Sequence, residues 1–393
     1  MSLPLSKIRV LDFTHLLPGE LCSTILGDLG AHITRVESLK PGLAQRLPPL
    51  VKGESLYYWS LHRNKERIAL DLKNEKGIEI IHKLISQTDV ILENFRPGVM
   101  SRLGVGYGKL RAYNKGLVYC SISGYGQNSS FSHRPGHDLN FQAESGVLNM
   151  IDLPDGKPLV TGLLVSDYMS ATYAALSVVS ALYEKERTGK GRHLDISMFH
   201  CALSTLNIAA TGLLYTGQCM PEDSPAYRDA LVSYNVYRCK DGRYLAVASL
   251  ERPFWDIFCQ RIERPDLLGR YPVGPHPELK EILADVIAKK TLLQWSEIFA
   301  DSNCCVSPVN NLSEALDFLP TKERNMITHL SHPLLGKVPQ LLSPIPFHAE
   351  VNSPAQAPAD PAEGTAALLK HLGYSDVDIR QLSEEGIIPT PPG

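Results

Sequence analysis

At 393 residues the chain is too long for a single hydrophobic core, and about two domains are expected. With 44% hydrophobic and 21% charged residues it is no disordered, collagen-like or disulfide-scaffold chain, and a formal net charge of -3 argues against nucleic acid as its partner. The eight cysteines are scattered apart from the adjacent Cys304 and Cys305, and no CxxC spacing offers a zinc or redox site, so a reducing cytoplasm is the expected compartment. No apolar run is long enough to span a bilayer, and MSLPLSKIRVLDF lacks the apolar core of a signal peptide, so no membrane partner is expected.

From the N-terminus, β and α patterns alternate. The apolar run at residues 8–13 predicts a buried parallel strand, Pro18 suits the first turn of a following helix, and Gly30 ends that helix before a strand at 31–37. Asn74 predicts the cap of a helix reaching residue 86, with strands at 89–94 and 117–123 after it. The first third therefore reads as an open α/β sheet. Residues 168–185 carry apolar positions on nearly every face, the pattern of a helix buried among neighbours, and Thr188-Gly189-Lys190-Gly191 terminates it.

The texture changes after residue 215, where GQCMPEDSPAYRDA predicts a polar linker into a second domain. Apolar runs at 232–238 and 243–249 flank Asp241-Gly242 and predict a β-hairpin. Helices at 278–288 and 292–300, a short strand at 304–309 and a helix at 312–318 are expected next. The prolines between 338 and 361 predict an extended crossing segment without regular structure, and helix returns over 364–382.

The sequence lacks GxGxxG after the first strand, GxxxxGK[ST], HExxH and GxSxG, which removes support for nicotinamide, nucleoside triphosphate, zinc-protease and hydrolase chemistry. Three acid/base candidates stand out: His137 in the loop Arg134-Pro135-Gly136-His137-Asp138, Asp167 before the long helix, and Glu251 just past the hairpin. Taken singly each has a plainer reading. Asp167 reads as a helix cap, His137 as a surface histidine and Glu251 as a helix start.

The set of segments weighs more than any one residue. IRVLDFTHLLPGELCSTILGDLGAHITRVES, HRNKERIALDLKNEKG, DVILENFRPGVM, GHDLNFQAESGVL and LVSDYMSATYAALSVVSALYEKERTGKGRHLDISM resemble, in order and spacing, the family III CoA-transferase superfamily of CaiB/BaiF-type transferases and α-methylacyl-CoA racemases. The resemblance implies an α/β fold: a large Rossmann-like domain with an open, mainly parallel sheet, built from both chain ends, plus a smaller α+β domain. Residues 1–215 would form the N-terminal part of the large domain, 216–335 the small domain, and 336–393 a crossing linker and the return. It also implies a homodimer of interlocked rings, in which Glu251 of one subunit approaches His137 and Asp167 of the other.

By the same resemblance Arg35, Leu72, Lys73, Asn94, Phe95 and Arg96 line a coenzyme A site, with Arg63, Lys65 and Arg134 as further candidates. Coenzyme A enters as part of an acyl-CoA substrate, no cofactor is permanently bound, and no metal is implied. Two chemistries share Asp167. In a racemase, Asp167 and His137 exchange protons at the thioester α-carbon. In a transferase, Asp167 attacks the thioester carbonyl and CoA passes to a carboxylic acid acceptor. GHDLNF, Ser249-Leu250-Glu251 and CCVSPV lean toward the racemase branch, while Tyr168 after Asp167, Gln142 and the HRNK segment resemble transferases. An inactive partner subunit of a hetero-oligomer is a third reading. Asp138 is expected to orient His137 or to bind backbone. His15, His62, His193 and His200 are expected to be structural, and Phe141, Met150 and Tyr168 to wall the acyl pocket.

Overall fold

Six short strands carry the first third of the chain and one later segment into a single sheet. They are β1 (Arg9–Asp12), β2 (His32–Glu37), β3 (Lys65–Ala69), β4 (Val90–Glu93), β5 (Val118–Ser123) and β6 (His193–Ser197), ordered β3-β2-β1-β4-β5-β6 with every pairing parallel. The computed structural model describes residues 2–151, 157–220, 225–272, 274–345, 347, 357 and 359–391. The chain divides into two units: Met1–Val147, Thr161–Thr205 and Lys322–Gly393 in the first, Leu148–Val160 and Leu206–Thr321 in the second.

In the first unit, strand alternation feeds two cores. Val10 enters one with Cys22, Leu26, Val90 and Val178, beneath α1 (Leu16–Asp28) and α5 (Val165–Thr188). Its neighbour Leu11 enters the other with Ile80, Ile81 and Ile91, beneath α3 (Glu75–Ile85). Helices on both faces explain why these strands read as continuous apolar runs. The C-terminal helices α10 (Pro361–His371) and α11 (Asp376–Glu384) complete the second face, with Leu369, Ile379 and Leu382 buried there. Gly364 permits this docking, since a Cβ would stand 2.1 Å from the Arg67 carbonyl oxygen.

Strand order reverses between β1 and β4, and in open α/β sheets ligands bind at that reversal, outside the carboxyl ends of the strands. The loops after β1, β3, β4 and β5 emerge on this edge. A helix returning the chain to a parallel strand runs against the strands, so α5, which leads to β6, begins on the same edge.

The second unit, taken by itself, holds a three-stranded antiparallel sheet of β7 (Asn235–Arg238), β8 (Tyr244–Val247) and β9 (Val306–Pro308). Gly242, with φ +80°, makes the Asp-Gly turn between β7 and β8. Trp255, Phe258, Trp295 and Phe299 from α7 (Arg252–Arg261) and α9 (Leu292–Phe299) fill its core with Leu245 and Val247. Between them lies α8 (Pro277–Ile287).

Two local expectations change. Residues 338–341 form regular structure, in β11 (Gly336–Leu341) paired antiparallel with β10 (Ile327–His332). Pro339 is tolerated because a two-stranded ribbon leaves each strand one edge that needs no N–H donor. The rest of that proline-rich stretch includes residues 346, 348–356 and 358, which lie outside the described residues, as do 221–224 of the linker. The long helix α5 is also not enclosed on every side: Ala171, Ala174 and Val178 are buried, whereas Leu176 and Tyr183 are exposed in the single chain.

Candidate active site

Asp167 lies in the first turn of α5 and does not cap it. That work falls to Asp138, at the start of α4 (Asp138–Glu144), which is buried and aims its carboxylate at the open end of α5. Asp138 Oδ1 accepts the Ser166 amide at 2.8 Å, the Ser166 hydroxyl at 2.6 Å and the Asp167 amide at 3.2 Å, and Oδ2 accepts Gln142 Nε2. A negative side chain among unpaired N–H groups is the favourable partner for a helix N-terminus. Asp138 therefore binds backbone, one of the two roles expected of it.

With its helix end satisfied by another residue, the Asp167 carboxylate is left free. It is half-buried, and among the described residues no hydrogen bond holds it. Burial, then the negative charge of Asp138, push it up to about 7. A carboxyl poised there can act as acid, base or nucleophile near neutrality. His137, immediately before Asp138, is exposed; its amide donates to Asn140 Oδ1 at 3.0 Å, and its side chain faces the Asn140 amide in a reciprocal capping box. Asp138 thus ties the His137 segment to the turn that carries Asp167. Glu251 is an exposed residue of the second unit, where it is the N-cap of α7 and its carboxylate accepts no capping bond.

The coenzyme candidates separate into two groups. Asn94, Phe95 and Arg96 follow β4 and Leu72 and Lys73 follow β3, so all five stand on the carboxyl edge of the sheet. Arg96 and Lys73 are exposed, and Leu72 and Phe95 pack on the second core. Asn94 clasps the loop after β1: its Oδ1 accepts the His15 amide at 2.7 Å and its Nδ2 donates to the His15 carbonyl at 2.6 Å. Phe95 meets the His15 ring edge-on at 4.9 Å. His15 therefore belongs to the loop at the strand-order reversal.

Arg35 differs. It is 4% exposed, and its guanidinium lies 2.8 Å from Glu20, 3.3 Å from Glu37 and 3.5 Å from Asp12. Arg63 forms a buried pair with Asp28 at 2.8 and 2.5 Å, and Lys65 donates to the Glu20 carbonyl at 2.9 Å. All three are buried and paired within the protein and form no solvated charged face. Arg134 is exposed, paired with Glu144 at 2.9 Å. Burial opposes ionisation of Asp12, but Lys65 and Arg35, aided by the Ser23 and Thr14 hydroxyls, hold its carboxyl below the ordinary range. Burial drives Glu20 upward against Arg35 and Lys65, and its Oε2 has no hydrogen-bond partner among the described residues.

Tyr57, in the short helix α2 (Leu56–Ser60), was not singled out by any local pattern. Burial, then the charges of Glu20 and Asp167, push its phenol up. Of the expected pocket walls, Phe141 is instead core, wedged where a Cβ on Gly124 or Gly136 would stand 2.8 Å from its ring. Met150 lies in the second unit, and Tyr168 is exposed on α5. Cavities of about 540 and 990 Å³ lie elsewhere, near the amino ends of β6 and of β1 and β2, and hold neither Asp167 nor His137. Among the described residues no group of His, Cys, Asp and Glu could hold a metal ion, and no single helix is long and apolar enough to cross a membrane.

Comparison with known proteins agrees with this architecture. The description of CoA-transferase family III matches residues 5–365. The chain belongs to that family. Relatives of both chemistries align with it: a succinyl-CoA:glutarate CoA-transferase of Mus musculus is 29% identical over 98% of this chain and 90% of its own length. The α-methylacyl-CoA racemase of Homo sapiens is 31% identical over 98% and 97%, and an acetyl-CoA:oxalate CoA-transferase of Acetobacter aceti 33% identical over 82% and 85%. The crystal structure of a CAIB/BAIF family protein from Brucella suis superposes with a TM-score of 0.80 at 25% identity, covering 95% of this chain and all of the other. As a family III member the chain is an enzyme, and its chemistry is acyl-CoA processing.

Proposed function

We propose that the protein racemises 2-methylacyl-CoA thioesters, with His137 and Asp167 exchanging protons at the α-carbon. The observation that carries this reading is the Asp138 tether, which joins the segment of the exposed His137 to the turn bearing an unbonded carboxyl raised to about 7. One group removes the α-proton, the thioester holds the resulting charge as an enolate, and the other group returns a proton to the opposite face. The N-terminus of α1, following the His15 loop, supplies partial positive charge suited to the enolate oxygen.

In this reading Arg96 and Lys73 meet the coenzyme phosphates, and Leu72 and Phe95 give the pantetheine arm an apolar wall, with Asn94 setting the loop between them. Arg134 is a further contact at the entrance. Arg35 acts from below, as the cation that organises the loop's buried carboxylates. A homodimer would supply Glu251 from the second copy. Ile208, Leu214 and Tyr215 of α6 (Asn207–Thr216), 84%, 85% and 91% exposed, are an apolar surface for that second copy to cover. The scattered free cysteines fit a cytoplasmic enzyme.

A second reading is CoA transfer, favoured by Tyr168 directly after Asp167 and by the aligned transferases. Asp167 would then attack the thioester carbonyl and expel CoA thiolate, which would attack the acyl anhydride, release the acid and leave an enzyme thioester for a second carboxylate. Incubation with a chiral 2-methylacyl-CoA in deuterated water separates the two. Deuterium at the α-carbon with loss of optical purity establishes racemisation. Its absence, together with movement of labelled CoA to a free acid and trapping of the enzyme by hydroxylamine, establishes transfer.

A further inference from the structure

Glu93 closes β4 and is 4% exposed, yet among the described residues no Lys or Arg forms an ion pair with it. A buried carboxylate without a cation is costly, and burial pushes it up to about 7, with the Ser121 hydroxyl and the Phe95 amide pulling down and Asp195 adding to the rise. An apolar residue would suit the strand's end better, so the carboxylate's bonds are informative. Glu93 Oε2 accepts the Phe95 amide at 2.9 Å. Behind it, Ser121 Oγ lies 2.9 Å from His193 Nε2, so the acid is backed by a polar chain through β5 and β6. Ahead of it stand Asn94, with its two bonds to the His15 backbone, and Phe95, edge-on to the His15 ring. Leu16, the first residue of α1 and next after His15, has φ +62°, a left-handed conformation that a leucine holds only when its surroundings impose it.

We propose that Glu93 is a positioning residue for the acyl-CoA site. Its carboxylate fixes the turn at Asn94 and Phe95 through the Phe95 amide, and their grip on His15 fixes the loop that opens α1. The catalytic consequence rests on the acyl-CoA reading above; the loop's dependence on Glu93 does not.

The test therefore has two arms on the full-length enzyme. In hydrogen exchange without substrate, Glu93→Ala should speed exchange of the His15 and Phe95 amides about tenfold, while Glu93→Gln, whose amide oxygen still accepts the Phe95 N–H, stays near wild type. In kinetics, Glu93→Ala should raise KM for the acyl-CoA about tenfold with kcat changed less than about threefold, and Glu93→Gln should recover most of the loss. Should Glu93→Ala fail to fold, Asn94→Ala cuts the same clasp and should speed exchange at His15. Unchanged exchange at both amides in a folded Glu93→Ala enzyme overturns the proposal. Faster exchange in that variant upholds the positioning role even if no protein turns over an acyl-CoA, a result that would fault the functional reading alone.

Discussion

The Asp167 amide donates to Asp138 Oδ1 at 3.2 Å, so one carboxylate caps the helix turn on which the other stands. This has two effects. Asp138 relieves Asp167 of the capping role expected for an Asp at a helix start, and its charge helps burial raise the Asp167 carboxyl to about 7.

The pH profile of racemisation should be bell-shaped and the same for both enantiomers. One direction needs Asp167 ionised and its partner protonated, the other needs the reverse, and the two forms hold the same number of protons. In both directions kcat/KM should therefore fall on either side of a maximum, with one limb through about 7, where burial and Asp138 place the Asp167 carboxyl. Initial rates for each pure enantiomer between pH 5 and 9 check this, and a flat profile would contradict it.

Asp167 should also weaken the fold. A carboxyl raised from 3.8 to about 7 stabilises the native state fully below its unfolded value, and that stabilisation is lost as pH rises through the folded value. Asp167→Asn removes the titration, so it should melt several degrees above wild type at pH 8, with the difference vanishing below about pH 4. Thermal melts at the two pH values read the effect.

Asp138→Ala should lower both stability and activity, although Asp138 itself exchanges no proton. The buried Ser166 and Asp167 amides would lose their acceptor, at a cost of about 1–3 kcal/mol. Urea unfolding measures this, and Asp138→Asn, which keeps an acceptor oxygen, should recover part of the loss.

Arg63 and Arg96 should give opposite results. Removing Arg63 leaves Asp28 buried without its cation, so Arg63→Ala should cost about 3–5 kcal/mol of stability. Arg96 is exposed on the carboxyl edge, so Arg96→Ala should leave the melting temperature within about 2 °C and raise KM for the acyl-CoA about tenfold. Paired melts and kinetics distinguish them.

Much of the first unit was legible because parallel strands covered on both faces announce themselves as apolar runs, and Asn74 and Gly189 sit at a helix start and end where such residues belong. The return of residues 361–371 onto β3 left no local trace, because it is written in Gly364 and Thr365 meeting Arg67 and Ala69 far away in sequence. The candidate site was legible in residue type more than in placement. The three carboxylates around Arg35 left no trace in its local sequence, because Asp12, Glu20 and Glu37 reach it only in the folded chain. Asp138 and Asp167 are both acids near helix starts, and their roles separate only through contacts between distant segments.

The most direct test is the Asp167→Ala enzyme, confirmed folded by circular dichroism and offered a chiral 2-methylacyl-CoA in deuterated water. The account predicts that wild type places deuterium at the α-carbon and erodes optical purity, and that the variant does neither. Wild-type deuterium incorporation by Asp167→Ala would contradict it.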